Sequence, residues 1–363
     1  MDKRLGVAVI TLAIASVLTL ARAQDVPTAV PAPAVQSATS DVRDMDTVVV
    51  TGVQPGPGLW RVQRGENTLY ILGIQSPLPM DITWRADEVR EVLAEAGAVL
   101  GQPGVRFGSD IGMLRGLTML PSAMRAVRNP GGDTLDEVLP ADVYARWAML
   151  KQRYIGRDRG IERKRPAVAV FQLYRAALKA NGLREGGVVG PVVNEALKAR
   201  GMEITPTMLE IKVDDPRQAM REFGQEGMKP EDLACVRDTL DIIESGLPQV
   251  AARANAWAVG DLDAMRAMAG QRRQVEACMS AWLQSGAARK RGLDDLDERV
   301  RAHWVAAADR ALSEHRVSFA TLSVDDLLGS RGYLAALRSR SDAVHAPDEP
   351  LVEDEAEEVP ATH

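Results

Sequence analysis

Two β-type runs lie at opposite ends of this chain, with helical spacing almost everywhere between them. Thr68–Ile74 and Val317–Leu322 each gather β-branched, aromatic and aliphatic residues in stretches too short for a typical helix, and Ala98–Gly101 and Glu203–Met208 add two shorter runs. Ala86–Ala96 has apolar residues three and four apart, and Thr134–Ile155 begins with Asp133 or Thr134 as an N-cap. Ala167–Asn181 follows Pro166, and Val188–Arg200 stops at Gly201. Pro230–Val259 and Asp261–Ser285 read as a long helical pair broken at Gly260. Strands separated by that much helix predict an α/β (α+β) fold, a central mixed sheet closed by the N- and C-terminal halves and carrying a large helical insertion. No repeat of about 20 to 50 residues is visible, and no Gly/Pro/Ser-rich linker interrupts Leu59–Arg340. A single domain over residues 47–341 is the simplest division.

The two termini read differently. Met1–Arg4 carries net positive charge, about sixteen uncharged and mostly apolar residues follow from Leu5 to Leu20, and Ala21-Arg22-Ala23 fits a signal-peptidase site. Residues 1–23 are therefore expected to be a cleaved signal peptide, cut after Ala23, which sends the chain to the periplasm or outside the cell. A retained anchor is the alternative, but the run falls short of the roughly 20 residues of a spanning helix. No later segment is apolar for that long, so the mature chain is expected to lack a transmembrane segment. Residues 24–46, rich in Pro, Ala, Ser, Thr and Val, read as a disordered leader. Residues 342–363, acidic and Pro-containing, read as a disordered tail.

That acidic end dominates the charge. From Ser341 to His363 there are eight acids and no Lys or Arg, so removing it from the net −6 leaves the remainder at about +2. No broad basic field remains for nucleic acid, and none is expected as a partner. With 46% apolar and 26% charged residues the whole chain has the balance of a folded protein, but aromatics are only 4%, so Trp60, Trp84 and Trp257 are expected to anchor the packing. Cys235 and Cys278 are the only cysteines. In an exported chain they favour one disulfide, whose loop of about 44 residues would contribute roughly 4 kcal/mol through the restricted unfolded chain; two buried free thiols are the alternative. Neither has a second Cys or a His nearby for a metal site.

The common catalytic signatures are missing: no G-x-x-x-x-G-K-[ST], no G-x-S-x-G, no H-E-x-x-H. All four histidines, His303, His315, His345 and His363, fall in the last 61 residues, the last two in the expected tail. His303 and His315 lie 12 apart, which is not the i, i+4 spacing of a metal pair.

Leu59-Trp60-Arg61-Val62, Leu69-Tyr70-Ile71-Leu72-Gly73-Ile74-Gln75 and Ile82-Thr83-Trp84, followed by the helix to Ala96, resemble the opening of the TraB/GumN family. Leu209-Glu210 after a strand, Ala256-Trp257-Ala258-Val259-Gly260-Asp261-Leu262, and a closing Phe319–Leu337 with Gly329 and Gly332-Tyr333 fall in the family's order. The resemblance spans Leu59–Leu337 and implies an EreA/ChaN-like sheet. It also implies a metal held by two G-x-x-H motifs and a glutamate ending the second strand, with metal-dependent peptidase activity in the related TIKI proteins. Here the first motif is Gly73-Ile74-Gln75-Ser76, with Gln75 in the histidine's place, and Gln102 stands for the glutamate. The second is Ser323-Val324-Asp325-Asp326, with Ser323 for the glycine and Asp326 for the histidine. An amide is a neutral, weak ligand and no base.

The expected reading is therefore a non-catalytic member of that family, with no catalytic residue and no cofactor. It would bind or scaffold an unidentified protein or carbohydrate ligand in a bacterial cell envelope; the polysaccharide link comes from the GumN name. Two alternatives stand beside it. One is a metal-dependent hydrolase or peptidase with a shifted divalent-metal site built from Glu210, Asp325 and Asp326. The other is an interaction protein acting through its acidic tail. Asp325 and Asp326 also read simply as helix-capping residues, and Glu210 as a surface ion-pair partner.

Overall fold

The computed structural model describes residues 48–108, 120–213, 215–268, 278, 295–329, 332–340 and 342–349. The residues expected to form a signal peptide and a leader, residues 350–363 and, apart from Cys278, residues 269–285 lie outside the described residues; of the expected helix Asp261–Ser285 the described part is Leu262–Ala267, which ends at Met268. All described residues belong to one compact unit that begins at Met45.

The chain is a mixed α/β protein built on a five-stranded sheet. Its strands are β2 (Leu59–Arg64), β3 (Asn67–Ile74), β6 (Ala98–Leu100), β10 (Val317–Ser323) and β11 (Ala343–His345), in the order β11-β2-β3-β10-β6. Smaller two-stranded pairs are β1 (Gly52–Gln54) with β5 (Ile82–Trp84), β4 (Leu78–Pro79) with β8 (Leu183–Arg184), and β7 (Gly104–Gly108) with β9 (Met208–Lys212). Strand β2 runs antiparallel into β3, Arg64 opposite Asn67, through a two-residue turn in which Gly65 takes φ 57°. Strand β10 then inserts between β3 and β6, parallel to both.

Side chains alternate across this sheet with period two and feed two cores. Leu59, Leu72 and Phe319 face the helices Asp87–Glu95 and Val189–Arg200 together with Trp84 and Trp257. Trp60, Val62, Leu69, Ile71, Ala320 and Leu322 face the helix Leu296–Glu314 and Tyr333, Leu334 and Leu337. A third core joins Ala141–Tyr154, Pro166–Ala180, Pro230–Asp241 and Leu247–Val259, and this is the helical insertion. Trp60, Trp84 and Trp257 are all buried. Cys235 and Cys278 form a disulfide with Cα atoms 4.7 Å apart.

Three expectations need correction. Thr134–Ile155 is two helices, Leu135–Val138 and Ala141–Tyr154, because Pro140 forces Leu139 into extended backbone (φ −88°, ψ 148°); Thr134 caps the first through a capping box with Glu137. Glu203–Met208 makes only an isolated bridge from Thr205 to Leu100, since Pro206 interrupts the run, and the strand proper follows it as Met208–Lys212. The expected tail is not outside the fold from its start: Ala343–His345 is an edge strand of the main sheet, paired with β2. Asp342, its side chain fully covered, accepts from Arg64 Nε at 2.7 Å and Nη2 at 3.0 Å, and Ala346 is 2% exposed. Backbone pairing and one matched charge order this segment despite its poor apolar content.

Candidate ligand-binding site

Strands β3, β10 and β6 end side by side, and their carboxyl ends open into a cleft of about 430 Å³. In open parallel sheets this is where ligands bind, because chain reversals leave a crevice beyond the strand ends, and the volume falls in the range of small-molecule pockets. Each strand contributes polar groups: β3 leads into Gln75 and Ser76, β6 into Gly101 and Gln102, and β10 brings Thr321, Ser323 and then Asp325. The opposite wall is the first turns of Val189–Arg200, with Val189, Val193 and Asn194, and the preceding Gly187.

The charge in this cleft is already matched. Arg253 enters from the helix Leu247–Val259 and donates from Nη2 to Asp325 Oδ1 at 2.5 Å and from Nε to Gln75 Oε1 at 2.9 Å. Both charged side chains are 8% exposed. Asp325 is presented at the start of the helix Val324–Leu328, whose N-cap is Ser323: its Oγ accepts from the Asp326 backbone N–H at 3.1 Å and donates to Asp326 Oδ2 at 2.7 Å. Gly329 closes that helix, and a Cβ there would meet the Asp325 carbonyl oxygen at 2.2 Å, so only glycine fits.

Of the residues singled out from the motifs, Gln75, Gln102, Ser323 and Asp325 line the same cleft. Asp326 is engaged in the cap of its own helix. Gly73 lies one step back, lining a separate apolar cavity of about 190 Å³ with Trp60, Leu262, Met265 and Leu327, and its carbonyl accepts from Trp257 Nε1 at 2.8 Å. Glu210 stands exposed on β9, opposite Arg106 on β7, and does not line the cleft. His303 sits within the helix Leu296–Glu314 and His315 at its end, neither in the cleft, while His345 belongs to β11 rather than to a loose tail.

Arg253 is not among the candidates the motifs single out. Its signature in the sequence is that it is the sole charged residue of the 13-residue helix LPQVAARANAWAV, four residues before the buried Trp257 and so on the same face.

A family model described as the TraB/PrgY/gumN family matches residues 58–345. The chain belongs to that family. No curated protein and no solved structure matches it. This TraB/PrgY/gumN member does not offer the donors that the resemblance implies for a metal. Gln75 and Gln102 carry neutral amides, Asp325 is paired with Arg253, and Asp326 is held by Ser323. Of the alternative carboxylate set, Glu210 is exposed on another sheet and does not line the cleft with Asp325; among the described residues no three His, Cys, Asp or Glu side chains gather.

Proposed function

We propose that this TraB/PrgY/gumN protein is an exported, non-catalytic binding module of a bacterial cell envelope, and that it holds an uncharged, hydrogen-bonding ligand at the carboxyl ends of β3, β10 and β6. The observation that carries this reading is the lining of the cleft: amides from Gln75, Gln102 and Asn194, hydroxyls from Ser76, Thr321 and Ser323, and one carboxylate already matched by Arg253. Such a surface supplies donors and acceptors to a peptide or a sugar, and its one hydroxyl–carboxylate pair, Ser323 with Asp326, is engaged in capping the helix Val324–Leu328. The disulfide supports an oxidising compartment, and among the described residues no helix is long and apolar enough to cross a membrane.

The purified mature protein, beginning at Gln24, is expected to cleave no peptide in the presence of Zn²⁺, Mn²⁺ or Co²⁺. Thermal-shift screening against short peptides and oligosaccharides is expected to find a ligand that raises Tm, and Gln75→Ala with Asn194→Ala to remove that rise. Metal-dependent turnover by the wild-type protein would end the reading.

A further inference from the structure

We propose that the Arg253 guanidinium is a fixed internal cation standing in for a divalent ion at this cleft. The inference rests on the cleft being the non-catalytic site described above, and it concerns what holds that site together. Three oxygens converge on one buried side chain: Gln75 Oε1 at 2.9 Å, Asp325 Oδ1 at 2.5 Å, and the Met268 carbonyl oxygen, a longer contact at 3.5 Å. An amide oxygen, a carboxylate and a main-chain carbonyl are the donor types a hard divalent cation takes. Here their partner is covalently part of the chain. A bound ion, by contrast, depends on supply.

The placement adds to the chemistry. Gln75 follows β3 and Asp325 follows β10, so the guanidinium ties together the ends of two adjacent parallel strands, and through Met268 it also reaches the segment after Leu262–Ala267. With Arg253 and Asp325 both 8% exposed, neither charge can turn to water if the other is lost. Removing the arginine alone would leave a buried carboxylate, two further oxygens and the space of a long side chain. That is a cradle a hydrated cation can enter. Removing the carboxylate as well would leave no reason for an ion to bind.

The test compares the mature full chain in four forms, wild type, Arg253→Lys, Arg253→Ala and Arg253→Ala/Asp325→Asn, by melting in a chelator and in millimolar Mg²⁺, Ca²⁺ or Mn²⁺. Wild type and Arg253→Lys should melt at the same temperature with and without the ions. Arg253→Ala should melt lower in chelator and recover about 2–4 °C with at least one ion, as expected for a ligand held near the tenth-millimolar level. The double variant should show no ion response. A wild-type response equal to that of Arg253→Ala would overturn the proposal, as would an Arg253→Ala protein that ignores every ion or fails to fold in the presence of all of them. Metal-dependent turnover by the wild-type protein would end the functional reading and this inference with it, whereas the melting outcomes above overturn this inference alone, so the two failures are distinguishable.

Discussion

Gly73 ends the stretch of β3 that packs into both cores, and its carbonyl takes a hydrogen bond from Trp257 Nε1 while its α-carbon lies under Leu327 and Val324. Trp257→Phe keeps most of the ring volume but leaves that buried carbonyl without its donor, and is expected to cost about 1–3 kcal/mol in urea denaturation. Asp325→Ala is expected to cost more, about 3–5 kcal/mol, because it leaves the Arg253 charge buried and unmatched; adding Arg253→Ala should cost far less than a second independent loss. The motif positions in the sequence led to four residues of the cleft, because Gln75, Gln102, Ser323 and Asp325 all follow or end strands whose pattern is plain. Arg253 stayed hidden because nothing local links it to those motifs: its hydrogen bond to Gln75 spans 178 residues of chain, and only its isolation among alanines marks it.

Among the elements, β11 is where local pattern failed most clearly. Ala-Val-His is too short to show a period, and what holds it is its pairing to β2, the Asp342–Arg64 clamp and the Asp348–Arg266 contact. The Arg64 guanidinium is held above its ordinary pKa chiefly by its hydrogen bond to Asp342, opposed by the cost of burial. Truncation after Arg340 removes all of this and is expected to cost on the order of 3 kcal/mol, whereas truncation after Pro350 should leave the urea midpoint unchanged. This outcome bears on the idea of an interaction tail, since deletion from residue 341 would damage the fold along with any partner site. The Asp348 carboxyl is held below the usual carboxylate range chiefly by its hydrogen bond from Arg266. Its contribution is therefore present above the ordinary aspartate pKa and lost as pH falls through the lowered one. With the two side chains 38% and 46% exposed, it should stay within about 0.5 kcal/mol, readable as the acid-side difference between wild type and Asp348→Asn. The helices were easier to place: Gly201 and Gly260, at φ 64° and 75°, end theirs where the pattern expects. Pro140 and Pro206 explain the two misplaced elements, each by what proline denies its neighbours.

For the molecule as a whole, the Cys235–Cys278 bridge links the helical insertion to a residue 43 positions further along the chain. Replacing both cysteines by alanine is expected to lower stability by roughly 4 kcal/mol, seen as a shift of the denaturation midpoint that reductant reproduces in the wild type. The fold class was legible because β-type runs at both ends and helix between them leave few other arrangements. The order of strands was not, since parallel neighbours carry no local signal of which lies beside which. That order governs how the chain reaches its native state. Strand β10, which lies between β3 and β6, follows both of them by more than 200 residues of chain, and until it pairs β3 and β6 each present a bare row of main-chain donors and acceptors. A sheet wired this way closes only through a contact between distant parts of the chain, so folding is expected to be limited by the docking of β10 rather than by formation of the helices.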